Sequence, residues 1–199
     1  MAEQRFATAM VALDALHAED PRIERDADGA DQPYELLYAR RMSGWLARLR
    51  PQAGETLRLA VRAQHLKRWE VPRDSYAMDR FGYHAWRTDL KKRQGQMAAD
   101  VLSEAGYDEK SCERVAALVR KENLKSDDET RALEDAACLV FLQDYYTSFA
   151  GEHDDDRVIT ILRKTLRKMS PLGHRMAGEI VLKGRPKALL EQAVAAETH

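Results

Sequence analysis

Apolar residues recur every three or four positions along almost the whole chain, and its six prolines fall between these stripes rather than within them. That pattern restricts the fold to packed helices, because a 3.6-residue period gives each segment one apolar face. A half-buried strand needs alternation with a period of two, and no segment sustains it. Phe6, Met10, Leu13 and His17 share one face of a first helix that ends at Asp20-Pro21. A polar loop is expected from about Arg22 to Gln32, with Pro33 as the first residue of a second helix that stops before Pro51. A third helix is expected over about Glu55 to Trp69, and a fourth over about Asp79 to Ala105, closed by Gly106. A fifth runs from about Asp108 to Asn123. A sixth opens at Ser126 or Asp127 and continues towards Phe149. After an acidic loop, Gly151 to Asp156, a seventh helix spans about Arg157 to Met169. Ser170-Pro171 then caps an eighth, and Pro186 starts a ninth.

The expected fold is therefore an all-α, single-domain helical bundle of about nine helices over residues 1–199. That length supports one core without disulfides or metals to staple it. Ten glycines and six prolines are too few for a loop-rich β fold. A net charge of −1 excludes the global basic field that most nucleic-acid binders carry, and argues against nucleic acid as a partner. Cys112 and Cys138 sit in apolar helical stretches and read as buried thiols, not as a disulfide framework. The first twenty residues carry Glu3 and Asp14 and have no continuous apolar run, so no signal peptide is expected. No stretch approaches 18 apolar residues, so no membrane span is expected either, and the cytoplasm is the expected location. Oligomeric state is not legible in the sequence.

The stretch Leu57-Arg-Leu-Ala-Val-Arg-Ala-Gln-His65-Leu resembles the helix that names the HD phosphohydrolase superfamily. That helix reads roughly apolar-Ala-small-apolar-apolar-His-Asp-apolar. Gln64 stands in the place of its His, and His65 in the place of its Asp. Glu35, within Pro33-Tyr-Glu-Leu-Leu-Tyr-Ala-Arg-Arg-Met42, stands where that family has its first histidine ligand. Val101-Leu-Ser-Glu-Ala-Gly-Tyr107 resembles the run into its glycine turn. Arg131-Ala-Leu-Glu-Asp135-Ala-Ala-Cys-Leu139 resembles the helix with its final aspartate, which Asp135 matches. The resemblance implies an HD-domain-like bundle with a divalent metal (iron, manganese or zinc). Glu35, His65 and Asp135 would hold it, with His84 and Gln64 as further donors. The metal would activate water against a phosphate ester. The alternative is that His65 and Asp135 form a buried hydrogen-bonded pair joining two helices.

The whole chain, from Arg5-Phe6 to about Lys187, also resembles a narrower uncharacterised group, the domain of unknown function 4202 family. The phrases that carry this are Glu35-Leu-Leu-Tyr-Ala-Arg-Arg-Met42, Arg62-Ala-Gln-His-Leu-Lys-Arg-Trp69, Arg80-Phe-Gly-Tyr-His-Ala-Trp-Arg87, Leu133-Glu-Asp-Ala-Ala-Cys-Leu-Val-Phe-Leu142 and Lys164-Thr-Leu-Arg-Lys-Met-Ser170. That resemblance implies no known activity.

Charge supplies the second functional signal. Between Arg58 and Arg93 ten Lys or Arg stand against four acids, interleaved with Trp69, Tyr76, Phe81, Tyr83 and Trp86. Arginines among aromatics suit a phosphate and a stacked ring. On one continuous helix Arg58, Arg62 and His65 would share a face, with Arg68 just beyond. The substrate-binding candidates are Arg40, Arg62, Arg68, Arg80, Arg87, Trp69 and Lys121. The first functional expectation is a metal-dependent phosphohydrolase acting on a nucleotide or small phosphorylated metabolite. The second is a non-catalytic anion- or nucleotide-binding module. The third, an RNA-associated helical protein, has the near-zero net charge against it.

Overall fold

In the computed structural model, which describes residues 2–195, the chain is all-α apart from one short hairpin. Helix α1 (Ala2–Ala18) leads into strands β1 (Ile23–Arg25) and β2 (Asp31–Pro33), then α2 (Tyr34–Leu49) and α3 (Glu55–Arg62). Two single 3-10 turns, Arg68–Glu70 and Arg73–Ser75, precede the long helix α4 (Arg80–Glu104) and α5 (Glu109–Val119). Helix α6 (Asp128–Val140) passes through a π-helical turn, Phe141–Tyr145, into α7 (Tyr146–Glu152). The chain closes with α8 (Asp155–Leu166), α9 (Pro171–Ala177) and α10 (Gly184–Ala195).

Helix α2 lies against α3 and α6, α4 pairs with α5, and α8 pairs with α10. One continuous core joins them, with Leu13, Met42, Leu59, Leu66, Leu102, Leu118, Leu139 and Tyr146 fully buried. Each such side chain contributes about 1.5–3 kcal/mol relative to exposure. Both cysteines are free and buried, as the sequence implies. No helix among the described residues is long and apolar enough to cross a membrane.

Helix starts follow the expected chemistry. The side chains of Asp79, Asp108, Asp127 and Ser170 accept from the backbone N–H of Gly82, Ser111, Thr130 and Gly173. Each satisfies a donor that the helix geometry leaves unpaired, for about 1 kcal/mol. Gly106, at φ +86, closes α4 as foreseen. The Tyr107 N–H reaches Leu102 O and the Gly106 N–H reaches Ser103 O, a Schellman arrangement.

Three expectations need correction. The loop from Arg22 to Gln32 contains an antiparallel hairpin pairing Ile23 with Pro33 and Arg25 with Asp31. Strands of three residues are too short to show alternation. Pro33 accordingly ends β2 rather than starting α2. The third helix stops at Arg62, seven residues early, although Ala63 to Trp69 contains neither glycine nor proline.

Tertiary contacts overrule local propensity at that point. The Arg62 guanidinium binds Asp14 of α1 through two hydrogen bonds, 2.5 and 2.7 Å, and Ser43 of α2 at 3.1 Å. Nε2–H of the buried His17 donates to the Arg62 carbonyl at 2.8 Å, taking the place of a continuing helical bond. Leu66 must still enter the core, where it is fully buried. The backbone reaches it through left-handed conformations at His65 (φ +67) and Lys67 (φ +47). We expect Arg62→Ala to cost about 3 kcal/mol, because it strands Asp14 and releases the end of α3. Denaturant titration measures this. A loss below about 1 kcal/mol would mean that solvent already screens the pair.

Candidate functional site

The left-handed turn after α3 places His65 at the centre of a polar cluster. Its ring stacks on that of Tyr38, with centroids 4.3 Å apart and planes 11° apart. Its Nδ1 lies 3.3 Å from Glu35 Oε2, and its Nε2 lies 3.2 Å from Arg68 Nη1. Arg68 Nη1 also lies 3.5 Å from Nδ1, so the guanidinium sits across the imidazole, and Glu35 Oε2 is a close neighbour outside hydrogen-bond geometry. Burial, then the Arg68 charge, pulls His65 down to about 4, so the ring is neutral near pH 7.

Glu35 occupies the first turn of α2 and is 1% exposed. Its Oε1 accepts from Arg22 at 2.9 Å, and its backbone N–H donates to Asp20 at 3.1 Å. Burial alone would raise its carboxyl. His65, Arg22 and Arg68 outweigh that and hold it below the ordinary range, so it is ionised.

Beyond His65 lies a small pocket. Its walls are Gln64, His65 and Arg68 from the turn after α3, Arg87, Leu90, Lys91 and Gln94 from α4, and Val119 and Lys121 from the end of α5. Arg87, Lys91 and Gln94 stand at i, i+4 and i+7, so one helix face delivers all three. Lys121 sits where a Schellman motif usually has glycine, at φ +58, with the Glu122 N–H reaching Ala117 O. Two residues of this pocket, His65 and Lys121, thus hold a left-handed backbone that costs a non-glycine residue of the order of 1 kcal/mol.

The pocket carries four cations and no carboxylate on its wall. Glu134 of α6, just behind, is bound to Lys121 at 2.5 Å and to Lys168 at 3.4 Å, and these cations hold it down to about 2 against its burial. Arg68 lies over Trp86, 5.1 Å from the ring centroid. Burial first, and Arg87 among the charges, brings its guanidinium below the usual value. Gln94, 5% exposed, has an Nε2 with no hydrogen-bond partner.

Of the implied metal donors, only Glu35 and His65 come together, while Gln64 lines the pocket beside His65 and donates to the Ala60 carbonyl at 3.3 Å. Asp135 accepts from the Ser170 backbone N–H at 2.8 Å and from Ser170 Oγ at 2.5 Å, which ties α6 to the start of α9. Gly173 packs so close that a Cβ there would come within 2.5 Å of Asp135 Oδ1. His84 is exposed on α4, its ring edge-on to Tyr83. Among the described residues no three His, Cys, Asp or Glu form a group fit to hold a metal ion. This donor arrangement does not fit the implied metal.

The substrate candidates also divide. Arg68, Arg87 and Lys121 line the pocket, while Arg62 points away to Asp14. Arg40 and Arg80 are exposed, with Arg40 donating to Gln32, and Trp69 is half-buried in a 3-10 turn. Much of the basic segment is spent internally. Lys67 pairs with Glu19, Arg93 pairs with Glu70, and Arg73 donates to the carbonyls of Tyr76, Ala77 and Asp79. Sequence reasoning passes over Lys91 and Glu134. The spacing of Arg87, Lys91 and Gln94 is the signal that could have found the first.

The model of a family described as Domain of unknown function (DUF4202) matches residues 7–190. No curated protein and no solved structure matches the chain.

The His65 environment sets a pH dependence. A buried imidazole that stays neutral when folded, yet protonates near 6.5 when unfolded, favours unfolding as protons are added. Its contribution is complete above about pH 6.5 and is lost as pH falls towards 4, at about 1.4 kcal/mol per unit. Urea titrations from pH 7 to 4 should show wild type losing stability more steeply than His65→Gln. Parallel curves for the two would refute the assignment.

Proposed function

The chain belongs to the DUF4202 family, and we propose that it binds the phosphate of a nucleotide or another small phosphorylated metabolite in the pocket between α4 and the turns after α3 and α5. One observation carries this reading: Arg68, Arg87 and Lys91 meet there with no carboxylate in ion-pair range among the described residues. Cations gathered in a partly buried space repel one another, and an anion relieves that repulsion. A phosphate monoester brings nearly two charges and three strong acceptor oxygens. Arginine meets such oxygens in pairs, lysine meets them as a point charge, and Gln94 Nε2 is a spare neutral donor. The space left between the side chains is about 20 Å³, room for about one water. The anion therefore enters as Arg87, which no hydrogen bond holds among the described residues, swings outwards.

The test is thermal unfolding with inorganic phosphate, with chloride at matched ionic strength as control. Saturation at about 100 times Kd adds about 2.7 kcal/mol, a rise of roughly 5–11 °C for a chain of this size. Arg87→Gln should abolish the rise while lifting the ligand-free midpoint by about 1–3 °C, because it removes a repelling charge. No rise in the wild type overturns the reading.

A second reading, a phosphohydrolase acting on the same phosphate, draws on the Glu35–His65 pair that borders the pocket. It requires a metal and therefore further donors. Elemental analysis of protein purified without chelator, followed by assay of phosphate release, tests it: stoichiometric iron, manganese or zinc with turnover, both lost in folded His65→Ala, would support hydrolysis, and absence of metal after reconstitution would leave binding alone.

A further inference from the structure

Lys91 differs from the other cations of the pocket in its chemistry and in its neighbours. An arginine stays protonated at any working pH, whereas a lysine becomes a nucleophile once its ammonium form is destabilised. Lys121, the other lysine on the pocket wall, is ion-paired with Glu134 at 2.5 Å. Lys91 has no such partner in ion-pair range among the described residues. It is half-buried on α4, one turn after Arg87. Arg87 faces it from its own helix, Lys121 from the turn after α5, and Lys168 from the turn after α8. Glu134 of α6 reaches it from behind and is already shared between the other two lysines. Burial first, then these cations, draws the amine below the ordinary lysine value.

We infer that Lys91 forms a reversible imine with a phosphorylated aldehyde or ketone whose phosphate lies among Arg68, Arg87 and Lys121. This rests on the phosphate-binding reading of the pocket and adds a carbonyl to the ligand. The neutral Nζ adds to the carbonyl carbon, and the C–O π pair moves onto oxygen. The two amine protons then leave with that oxygen as water, so C=N replaces C=O without oxidant or reductant. The negative charge that develops on oxygen during addition meets the Arg87 and Lys121 charges. Release is the reverse hydrolysis.

Pyridoxal 5′-phosphate is the probe, a phosphorylated aldehyde. Substoichiometric probe is reduced onto the full chain with borohydride, and the adducts are mapped by mass spectrometry. The expected result is Lys91 as the dominant adduct, several-fold above exposed lysines such as Lys92 and Lys187, because a phosphate held among Arg68, Arg87 and Lys121 presents the aldehyde to it. Excess inorganic phosphate should suppress it, pyridoxal without phosphate should give little, and Lys91→Arg should lose it. Adducts spread by exposure, with none favoured at Lys91, would overturn the imine. If inorganic phosphate still stabilises the protein in that case, the phosphate site stands without it. A Lys91 adduct that phosphate does not displace and that pyridoxal matches would instead overturn the phosphate site.

Discussion

The bidentate bond from Arg62 to Asp14 fixes where α3 ends, and the rest of the polar architecture follows from that end. With the guanidinium held by α1 and the Arg62 carbonyl taken by His17, the next residues cannot continue as a helix. Leu66 is still drawn into the core, so the backbone folds back through a left-handed His65. That reversal carries the imidazole onto Tyr38, beside Glu35, and sets Arg68 across the ring. An apolar contact at Leu66 and a partly buried ion pair at Arg62, four residues apart, thus create a turn that propensity alone would not form.

The pocket this turn completes works against stability. It gathers Arg68, Arg87, Lys91 and Lys121 around one small space, and two of its residues hold left-handed backbones that glycine would adopt without strain. Selection for stability alone would neutralise the cluster and place glycine at Lys121. Local conflict of this kind is concentrated in the turns after α3 and α5 and in the charges around the pocket. The apolar core shows no such conflict. Its helices are capped by aspartates and a serine where the sequence puts them, and the Asp135–Ser170 bond ties two of them together.

The site was only partly legible, for geometric reasons. Consecutive residues on a helix point about 100° apart, so Asp135 turns to the start of α9 while Glu134, one residue earlier, turns to the lysines behind the pocket. Reading Asp135 as the partner of His65 required the helix to be rotated by one position. Arg62 and His65 lie three apart, which implies a shared face only while the helix persists; it ends between them. Arg87 and Lys121 were recognisable as cations, and Glu35 and His65 as neighbours. Lys91 was hidden in a run of three basic residues, and only its inward placement on α4 separates it from Lys92 and Arg93.

By itself the sequence determined the fold class, most helix boundaries and the buried thiols, because these depend on local periodicity, proline placement and capping chemistry. It also marked His65 as lying within a basic segment, while its nearness to Glu35 was only what the HD resemblance implied. Only the tertiary structure decided which charges are consumed and which stay uncompensated, since a salt bridge such as Arg62–Asp14 joins residues 48 positions apart. Periodicity assigns a residue to a helix face, but the packing of one helix on another decides whether that face meets a carboxylate, a core or an open pocket.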